Sequence, residues 1–385
     1  MHLSSFGHYH SCLEVNLDII KENVSRIQNH IGPGCGMIGV VKGDGYGLGV
    51  LPISRLLIEE CGFDILAVAH VCEGKELRDA FVPPDIDILV MSAFPDEAIA
   101  GIVEYDLQPT VFLPRTVCLL KEEARKCGKR IKVHIKVETG MNRLGARPGA
   151  ELEELIECLR ENSRFIHVDG VYTHFATSKN YNDPFALLQL ERFKEGVAQL
   201  KEAGIRPRRV HAANTGATLW LGESYGTHVR CAGLFLGYSK MNDRSNPLGV
   251  KEGASWRATV THVRSIEPGE TVGYNRFFAP TDRARVAVVG VGYVDGLHRD
   301  IAMSGGPVLI NGKKTRYVGI CMDQCFIDVT DIPCDIGDVV TLIGGDGDQY
   351  VSPFDLMACA PINTCASFFT SISTSRVARL YSRKN

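Results

Sequence analysis

The 385-residue sequence contains no long apolar run, no dense basic tract and no paired Cys-x-x-Cys motif. Because no uninterrupted apolar stretch reaches roughly 20 residues, we expect no membrane-spanning helix. The formal net charge of −3 and the lack of a Lys/Arg cluster argue against a nucleic-acid partner. The N-terminal segment shows no basic region followed by an apolar core, so we expect no secretory signal. With 45% apolar and 23% charged residues, the composition is typical of a soluble globular protein.

The thirteen cysteines are scattered and odd in number, which argues against a disulfide framework. The closest pair, Cys321 and Cys325, has no histidine at the spacing of a zinc ligand, so we predict no metal site. We expect most of the cysteines to be buried small apolar side chains in a reducing compartment, which indicates a cytoplasmic protein.

Short apolar runs alternate with amphipathic segments between residues 36 and 235. Eight such alternations favour an α/β fold with a (β/α)8 TIM barrel, and an open doubly wound sheet is the alternative. The predicted strands are residues 37–42, 65–70, 86–91, 108–112, 131–137, 167–174, 209–213 and 227–230. The predicted helices include residues 51–61, 115–127, 152–161 and 185–203, several of which stop at a glycine.

Near residue 246 the pattern changes to short β-rich runs separated by Pro-Gly and Asn-Gly turns. These runs are residues 256–266, 286–291, 307–310, 316–320, 326–329 and 339–343. We therefore predict a barrel domain at residues 12–246 and a smaller, mainly β C-terminal domain at residues 247–385, which residues 1–11 join.

Polar side chains collect at the carboxyl ends of the predicted barrel strands, where barrel active sites are built. The strand-end residues are Lys42, Lys136, His174, Asn214, Thr215 and Arg230. A single strand-end histidine or arginine is more often structural, but their repetition along the barrel indicates a site. Desolvation at a cavity mouth lowers the pKa of a lysine and makes it a nucleophile or Schiff-base former, which is the chemistry we predict for Lys42.

Eight stretches, in order along the chain, resemble the alanine racemase family of pyridoxal 5'-phosphate (PLP) enzymes, which combine a (β/α)8 barrel with a C-terminal β domain. In the barrel they are VVKGDGYGLG from Val40, KVETGMNRLGARP from Lys136, GVYTHFAT from Gly170, HAANTGATL from His211 and VRCAGLFLGY from Val229. In the β domain they are GETVGYNRFF from Gly269, VGYVDGLHR from Val291 and CMDQCFIDVTDIP from Cys321. The resemblance implies a cytoplasmic homodimer that interconverts L- and D-alanine and supplies D-alanine for peptidoglycan.

The same resemblance implies a two-base mechanism through an external aldimine of the cofactor. Lys42 matches the lysine that holds the cofactor, and Tyr274 matches the base on the opposite face of the substrate. Two groups must flank the α-carbon because a proton leaves one face and another arrives on the other. The residues implied in cofactor binding are Lys42, Tyr46, His174, Asn214, Thr215, Arg230, Ala232 and Gly233. Arg143, Met322 and Asp323 are implied in substrate binding, and Tyr274, Met322 and Asp323 come from the β domain of the partner subunit.

Arg230 helps to distinguish a racemase from a decarboxylase. It matches an arginine that contacts the pyridine nitrogen, and because a guanidinium keeps its proton the ring stays a weaker electron sink. This favours a racemase over the decarboxylases of the same architecture, which place a glutamate there. A non-catalytic cofactor-carrying protein is the third alternative, against which Tyr274 and the CMDQ stretch argue.

Three positions depart from the family pattern. Gly43-Asp44-Gly45 replaces an alanine-containing stretch and predicts a looser loop, Gly319 replaces an arginine, and Ser375 replaces a tyrosine that narrows the pocket. We therefore keep a serine or broader-specificity racemase as the alternative. Lys136 matches a position that some members of the family carry as a carbamylated lysine.

Overall fold

The computed structural model describes residues 6–238, 240–243, 245–362 and 364–383. The strands are β1 (Ser11–Asn16), β2 (Gly36–Val40), β3 (Ile65–Val68), β4 (Asp87–Val90), β5 (Gln108–Val111), β6 (Ile131–Lys136), β7 (Ile166–Tyr172), β8 (Arg209–His211), β9 (His228–Cys231), β10 (Ala254–Ile266), β11 (Ala284–Val289), β12 (Pro307–Ile310), β13 (Lys313–Ile320), β14 (Cys325–Asp328), β15 (Val339–Asp346), β16 (Gln349–Val351) and β17 (Ala378–Ser382). The helices are α1 (Leu17–Ile31), α2 (Lys42–Gly47), α3 (Val50–Glu59), α4 (Val71–Ala80), α5 (Ile99–Glu104), α6 (Pro114–Cys127), α7 (Ala150–Glu161), α8 (Phe185–Glu202), α9 (Thr215–Trp220), α10 (Arg299–Met303), α11 (Pro353–Met357) and α12 (Cys365–Thr370).

These elements form two compact units. The barrel unit comprises residues 21–45 and 50–250, and the β unit comprises residues 1–20, 46–49 and 251–385. No helix in the described part of the chain has the length and apolar character needed to cross a bilayer.

The barrel unit is built on eight parallel strands in the order β8-β7-β6-β5-β4-β3-β2-β9. Backbone hydrogen bonds join the two ends of this order, since Thr227 N donates to Val210 O at 2.8 Å and Arg230 N to Ala213 O at 2.9 Å. The predicted fold class, a TIM barrel followed by a β domain, is confirmed. Every residue of β3, β4 and β5 is buried, as expected of strands covered on both faces.

The outer helices form where the sequence spaces apolar residues at helical intervals. In α6, Val117, Leu120 and Ala124 are buried at intervals of three and four, and the helix starts at Pro114. It ends at Gly128, which adopts the left-handed conformation (φ 63°) and donates its N–H to the last carbonyls. The helix predicted at residues 115–127 therefore forms within one residue of its expected bounds.

The amino-terminal ends of the strands meet in a charge cluster, here called the barrel floor and made of Asp64, Asp87, Asp169 and Arg209. Arg209 is fully buried; its Nη1 donates to Asp87 Oδ2 at 2.6 Å and to Asp169, and its Nη2 to Asp64 at 2.9 Å. Although burial alone would raise the pKa of Asp87, hydrogen bonds from Lys132 and Arg209 hold it below its ordinary value. This cluster joins strands β4, β7 and β8 and the residue that precedes β3.

The β unit contains a nine-stranded sheet in the order β16-β15-β12-β13-β14-β11-β10-β1-β17. The long strand β10 pairs antiparallel with β1, β11 and β15, and β1 also pairs in parallel with β17. The sequence assigned residues 12–16 to the barrel, whereas the structure pairs them on both sides within this sheet, where Leu13 and Val15 are buried. Of the predicted segment 1–11, residues 1–5 lie outside the described residues.

All thirteen cysteines are free thiols. Only six of them are buried, namely Cys12, Cys35, Cys231, Cys325, Cys334 and Cys365. The expectation that most cysteines are buried was therefore wrong, and three of them, Cys72, Cys118 and Cys127, are exposed.

Candidate active site

The predicted barrel residues lie at one rim of the barrel, the carboxyl ends of strands β2 to β9. Lys42 follows β2, Lys136 ends β6, His174 follows β7, Asn214 and Thr215 follow β8, Arg230 lies in β9, and Ala232 and Gly233 follow it. Because the strands are parallel, these positions share one end of the barrel. The structure therefore brings together the predicted strand-end residues of the barrel unit.

Lys42 begins a turn of left-handed helix. The φ angles of residues 43–47 are 62°, 52°, 61°, 60° and 83° in order. Gly43, Gly45 and Gly47 adopt this conformation freely, whereas in Asp44 and Tyr46 it costs about 1–2 kcal/mol of backbone strain each. The looser loop expected from Gly43-Asp44-Gly45 is instead an ordered left-handed turn, which alternate glycines make accessible.

Two carboxylates fix the backbone on both sides of this turn. Glu73 accepts hydrogen bonds from the N–H groups of Gly43 (2.6 Å), Ala69 (2.7 Å) and His70 (2.9 Å). Asp44 Oδ1 accepts one from the N–H of Val50 at 2.8 Å. The sequence analysis missed Glu73. It stands three residues after the N-cap of α4, where glutamate often reaches back, but the cap is a histidine rather than the usual serine or threonine.

Two rim lysines have lowered pKa values. Burial lowers the pKa of Lys42, the Arg143 and Arg230 guanidinium groups lower it further, and Glu73 opposes them. Burial, reinforced by the same two arginines, lowers the pKa of Lys136 to about 7. Near neutral pH a substantial fraction of the Lys136 amine is therefore uncharged and able to act as a nucleophile or base, and the pKa of Lys42 is shifted in the same direction.

Arg230 is held rigidly at the rim and is only 3% exposed. Its Nη1 donates to His211 O at 2.8 Å and His211 Nδ1 at 3.1 Å. Its Nη2 donates to Thr173 O at 2.7 Å, Ala212 O at 3.1 Å and His174 Nδ1 at 3.3 Å. Within the described residues these bonds use the two terminal nitrogens, so the N–H of Nε remains as a donor for a ligand.

A chain of neutral side chains supports Arg230 from the barrel interior. Burial, followed by the charge of Arg230, holds the pKa of His211 well below its ordinary value. Since His211 Nδ1 accepts from Arg230, its Nε2 carries the proton and donates to His134 Nδ1 at 3.0 Å. His134 Nε2 in turn donates to Gln108 Oε1 at 2.9 Å. Sequence reasoning missed this chain, although each histidine lies two residues along its strand from a buried cation.

Three hydrogen-bond donors lie free beyond the ends of the adjacent strands β8 and β9. They are the Thr215 hydroxyl and the N–H groups of Ala232 and Gly233, none of which has a partner among residues 6–238, 240–243, 245–362 and 364–383. Asn214 is the N-cap of α9, with Oδ1 accepting from Ala217 N at 3.2 Å and from Ser178 Oγ at 2.6 Å. Asn214 therefore positions the start of this helix next to the free hydroxyl.

The guanidinium groups of Arg143 and Arg230 carry positive charge at the rim. Arg143 is exposed on the loop after β6, whose shape is set by the Glu138 carboxylate accepting from the N–H groups of Gly140 and Arg143. Although burial alone would raise the pKa of Glu138, these backbone bonds and that of Asn142 lower it. The three nearby carboxylates, Asp44, Glu73 and Glu138, are engaged with backbone N–H groups, and none forms an ion pair with Arg143 or Arg230 among the described residues, so these guanidinium groups favour an anionic ligand.

The other predicted residues, Tyr46, Tyr274, Met322 and Asp323, lie in the β unit. Tyr274 is 76% exposed, Met322 is 56% exposed and Asp323 is also exposed. Burial raises the pKa of Tyr46 to about 12, so its hydroxyl keeps its proton.

Phe326 packs against both the Tyr274 loop and strand β13 of the β unit. The Tyr274 loop is closed by Val272 N donating to Phe278 O at 2.9 Å, and both of these residues pack with Phe326 in one apolar cluster. Gly319 has a φ of 150°, and a Cβ atom there would lie 3.2 Å from the Phe326 ring. An arginine at position 319 would therefore need Phe326 to move.

Asp323 and Ser375 line the same cavity of about 310 Å³ in the β unit. His10 and Arg376 also line it, and Arg376 Nε donates to Asp295 Oδ1 at 2.7 Å. Asp323, a predicted substrate-binding residue, and Ser375, which departs from the family pattern, thus line the same pocket.

Comparisons with known proteins cover nearly the whole chain. Residues 15–239 match the family model "Alanine racemase, N-terminal domain", and residues 254–381 match "Alanine racemase, C-terminal domain". The sequence is 35% identical over 342 residues to an alanine racemase of Methanococcus maripaludis, covering 88% of this chain and 90% of that protein. The structure resembles the alanine racemase from Bacillus anthracis with bound L-Ala-P, with a TM-score of 0.91, 32% identity, and 98% and 96% of the two chains covered. A histidine racemase from Leuconostoc mesenteroides, 23% identical with a TM-score of 0.87 over 98% and 99% of the two chains, shares the fold.

Proposed function

Because this chain belongs to the alanine racemase family and is an amino-acid racemase, we propose that it interconverts L- and D-alanine with PLP as its cofactor. The barrel rim supports the proposal most directly: Lys42 is an amine of lowered pKa close enough to Arg230 for its charge to contribute, and the Nε N–H of Arg230 has no partner among the described residues. We also propose that the boundary between the barrel domain and the β domain lies near residue 246 of the sequence. We further propose that the protein is cytoplasmic and supplies D-alanine for peptidoglycan.

The residues present at the rim fit PLP. Lys42 Nζ is a nucleophilic amine suited to its aldehyde, and Arg230 Nε is a single donor suited to its ring nitrogen. The Thr215 hydroxyl and the N–H groups of Ala232 and Gly233 are free donors suited to a phosphate dianion, whose charge the rim cations would offset. The protonated Tyr46 hydroxyl and the neutral His174 ring suit phosphate and ring contacts. When bound, PLP supplies the electron sink that makes the substrate Cα–H acidic.

The chain's own residues then move one proton on each side of the substrate. Lys42 Nζ exchanges a proton with Cα on one face, which its lowered pKa favours. The phenolic oxygen of Tyr274 exchanges a proton with Cα on the opposite face. Arg230 would donate a hydrogen bond to the ring nitrogen without giving up its proton, and so would limit electron withdrawal to what racemisation needs.

We propose a homodimer in which Tyr274, Met322 and Asp323 complete the site of the partner subunit. Their exposure in a single chain supports this arrangement, since a second-face base and substrate contacts need protection from water to act. Arg143, exposed on its loop, is suited to bind the substrate carboxylate.

The alternative is a racemase of serine or of a broader set of amino acids. The small Ser375 beside Asp323 and the missing side chain at Gly319 favour it, because both leave room and Ser375 adds a hydrogen-bond partner. The shared fold with a histidine racemase is consistent with this alternative, since one fold serves more than one substrate.

Racemisation by the purified protein with added PLP tests both proposals. L-alanine, L-serine and larger L-amino acids are incubated separately, and the D-product is measured by chiral chromatography. We expect alanine to be turned over fastest. A preference for alanine of about a thousand-fold or more excludes the broader alternative, and a preference for serine excludes the leading proposal. No turnover of any amino acid by PLP-loaded protein would contradict both.

A further inference from the structure

The outer layer of the barrel contains a pair of thiols that racemisation does not use. Cys118 of α6 and Cys158 of α7 have their Sγ atoms 3.8 Å apart, although the two residues are 40 positions apart in sequence. This is van der Waals contact between sulfurs, and a disulfide needs them at about 2.05 Å. An approach of a little under 2 Å between neighbouring helices would join them.

The two thiols differ in access and in acidity. Cys118 is exposed, whereas Cys158 is half-buried. Burial raises the pKa of Cys158 to about 11, and the neighbouring Cys118 adds to the effect. Asn162 Nδ2 lies 3.7 Å from Cys158 Sγ and is placed to donate to a thiolate there. A reagent in solution therefore reacts with Cys118 first, and the Cys158 sulfur is placed to react second, with the modified Cys118.

We propose that Cys118 and Cys158 form a modification site, a dithiol that low-molecular-weight disulfides such as oxidised glutathione convert to an intramolecular disulfide. The Cys118 thiolate attacks oxidised glutathione, the glutathione S–S bond breaks, and one glutathione thiolate leaves as a mixed disulfide forms. The Cys158 thiolate then attacks the Cys118 sulfur, and the second glutathione leaves as the Cys118–Cys158 bond forms. The protein loses two electrons and two protons, which reduce one glutathione disulfide to two thiols.

The bond would enclose the segment that supplies part of the rim. Strand β6 with Lys136 and the loop with Arg143 both lie between Cys118 and Cys158 in sequence. Closing this segment restricts the unfolded chain, so the oxidised protein is expected to unfold at a higher temperature than the reduced protein. In a reducing compartment such a bond forms only during oxidation and is then reversed by thiols.

Two other cysteines serve as internal controls. Cys72 and Cys127 are exposed like Cys118, but neither contacts a thiol among the described residues, and Cys127 Sγ lies instead 3.9 Å from a Glu123 carboxylate oxygen. Glutathione that reacts at these two positions has no neighbouring thiol to displace it, so it stays attached as a mixed disulfide.

The test treats the reduced full-length protein with oxidised glutathione, blocks remaining thiols, and maps the peptides by mass spectrometry without reduction. We expect a cross-linked Cys118–Cys158 peptide and glutathione adducts at Cys72 and Cys127. The Cys158→Ser variant should retain glutathione on Cys118, and the Cys118→Ser variant should leave Cys158 unmodified. Only the wild-type protein should unfold several degrees higher after oxidation.

Three results would overturn the proposal. The first is a glutathione adduct that persists on Cys118 of the wild-type protein, which would mean that Cys158 cannot reach it. The second is a Cys118 that stays unmodified while Cys72 and Cys127 react. The third is a cross-link from either cysteine to a different one. The peptide map does not depend on PLP or turnover, so it stands whether or not the racemase proposal holds.

Discussion

Lys42 and Lys136 show how burial at a barrel rim changes what a lysine can do. Both pKa values are lowered mainly by burial and further by Arg143 and Arg230. Neither side chain has a carboxylate partner of its own, because Glu73 and Glu138 accept hydrogen bonds from backbone N–H groups. The amines of Lys42 and Lys136, both with lowered pKa values, thus lie near the same two guanidinium groups, which favours reactions that convert an amine into a neutral or anionic adduct.

We predict that Lys136 takes up CO2 as a carbamate. Its pKa of about 7 lies below the ordinary 10.5, so the reactive neutral amine is present above pH 7 and lost as pH falls through 7. The measurement is ¹³C NMR of the protein in ¹³C-bicarbonate, in which a carbamate resonance should grow as pH rises through about 7. The Lys136→Met variant should lack it, and Lys126→Met, at an exposed lysine, should keep it. A resonance that survives in Lys136→Met would refute the assignment.

We predict that Tyr274→Phe slows racemisation by about a hundred- to ten-thousand-fold while leaving PLP bound, because only the proton transfer on one face is removed. Turnover in both directions is followed by chiral chromatography, and PLP binding by its absorbance. Tyr293→Phe, at another exposed tyrosine of the β unit, is the control and should be close to wild type. Normal activity of Tyr274→Phe in both directions would rule out the two-base scheme.

Individual residues were predictable from sequence where a motif surrounds them. Lys42, His174, Thr215 and Arg230 lie in stretches that resemble a known family, and the structure places all of them at one rim. The supporting residues were not predictable, because Glu73 is 30 positions from the Gly43 amide that it binds. Contacts of that kind depend on the closed barrel and leave no local pattern.

At the scale of the element, the chain after Lys42 continues into a left-handed turn rather than a right-handed helix or an open loop. The turn depends on the conformational freedom of alternate glycines and on two carboxylates that bind the flanking backbone.

We predict that Gly45→Ala destabilises the protein more than Gly128→Ala. Both glycines have φ near 60°, so both substitutions cost about 1–2 kcal/mol of backbone strain. A Cβ at Gly45 also meets Ile53 Cδ1 at 3.1 Å and the Val50 backbone at 3.3 Å, whereas nothing lies within 4 Å at Gly128. Urea unfolding gives the difference, and only Gly45→Ala should also lower kcat. Equal effects on both measurements would show that the turn does not position Lys42.

We predict that Glu73→Gln lowers kcat/KM by about ten-fold. The three backbone N–H groups that donate to the two carboxylate oxygens of Glu73 would find only one acceptor oxygen in the glutamine amide. Glu73 also raises the pKa of Lys42, so its loss should lower that pKa further and shift PLP uptake by the apoprotein to lower pH. Glu76→Gln, at an exposed glutamate of the same helix, is the control. A pH profile of PLP uptake that is unchanged in Glu73→Gln would contradict this role.

Elements were predictable where the pattern is local. The barrel strands and outer helices lie within a few residues of their expected bounds, because the spacing of apolar residues along the sequence indicates which side chains are buried. Strands β1, β16 and β17 and the left-handed turn were missed. The pairing of Leu13 with Trp256 and Arg379 joins distant parts of the chain, and no simple periodicity shows which strands pair.

At the scale of the whole molecule, the residues expected to stabilise the barrel and those expected to carry out chemistry lie at opposite ends of its strands. The floor holds paired charges around the buried Arg209, whereas the opposite rim holds guanidinium groups without a carboxylate partner and free hydrogen-bond donors, as far as the described residues show. Substitutions at the floor are therefore expected to act on folding, and substitutions at the rim to act on ligand binding and turnover.

We predict that two inactive variants restore activity when mixed, provided that each site uses two subunits. In a heterodimer of Lys42→Ala and Tyr274→Phe, one site has both residues intact, so a random mixture should recover about a quarter of wild-type turnover. The control mixes Lys42→Ala with the Lys42→Ala/Tyr274→Phe double variant, which leaves no intact site. Differently tagged subunits that co-purify yet show no activity would refute the shared site.

The pairing of β1 with β17 has a consequence for how the protein is made. On the ribosome β1 emerges well before one of its two neighbours, β17, because all the barrel strands lie between them in sequence. The barrel strands, all made between these two, can close before β17 exists. Until then β1 has at most one partner, and its free edge is exposed to other strands, so ribosome-bound chains that stop before Ala378 are expected to associate with chaperones more than completed chains.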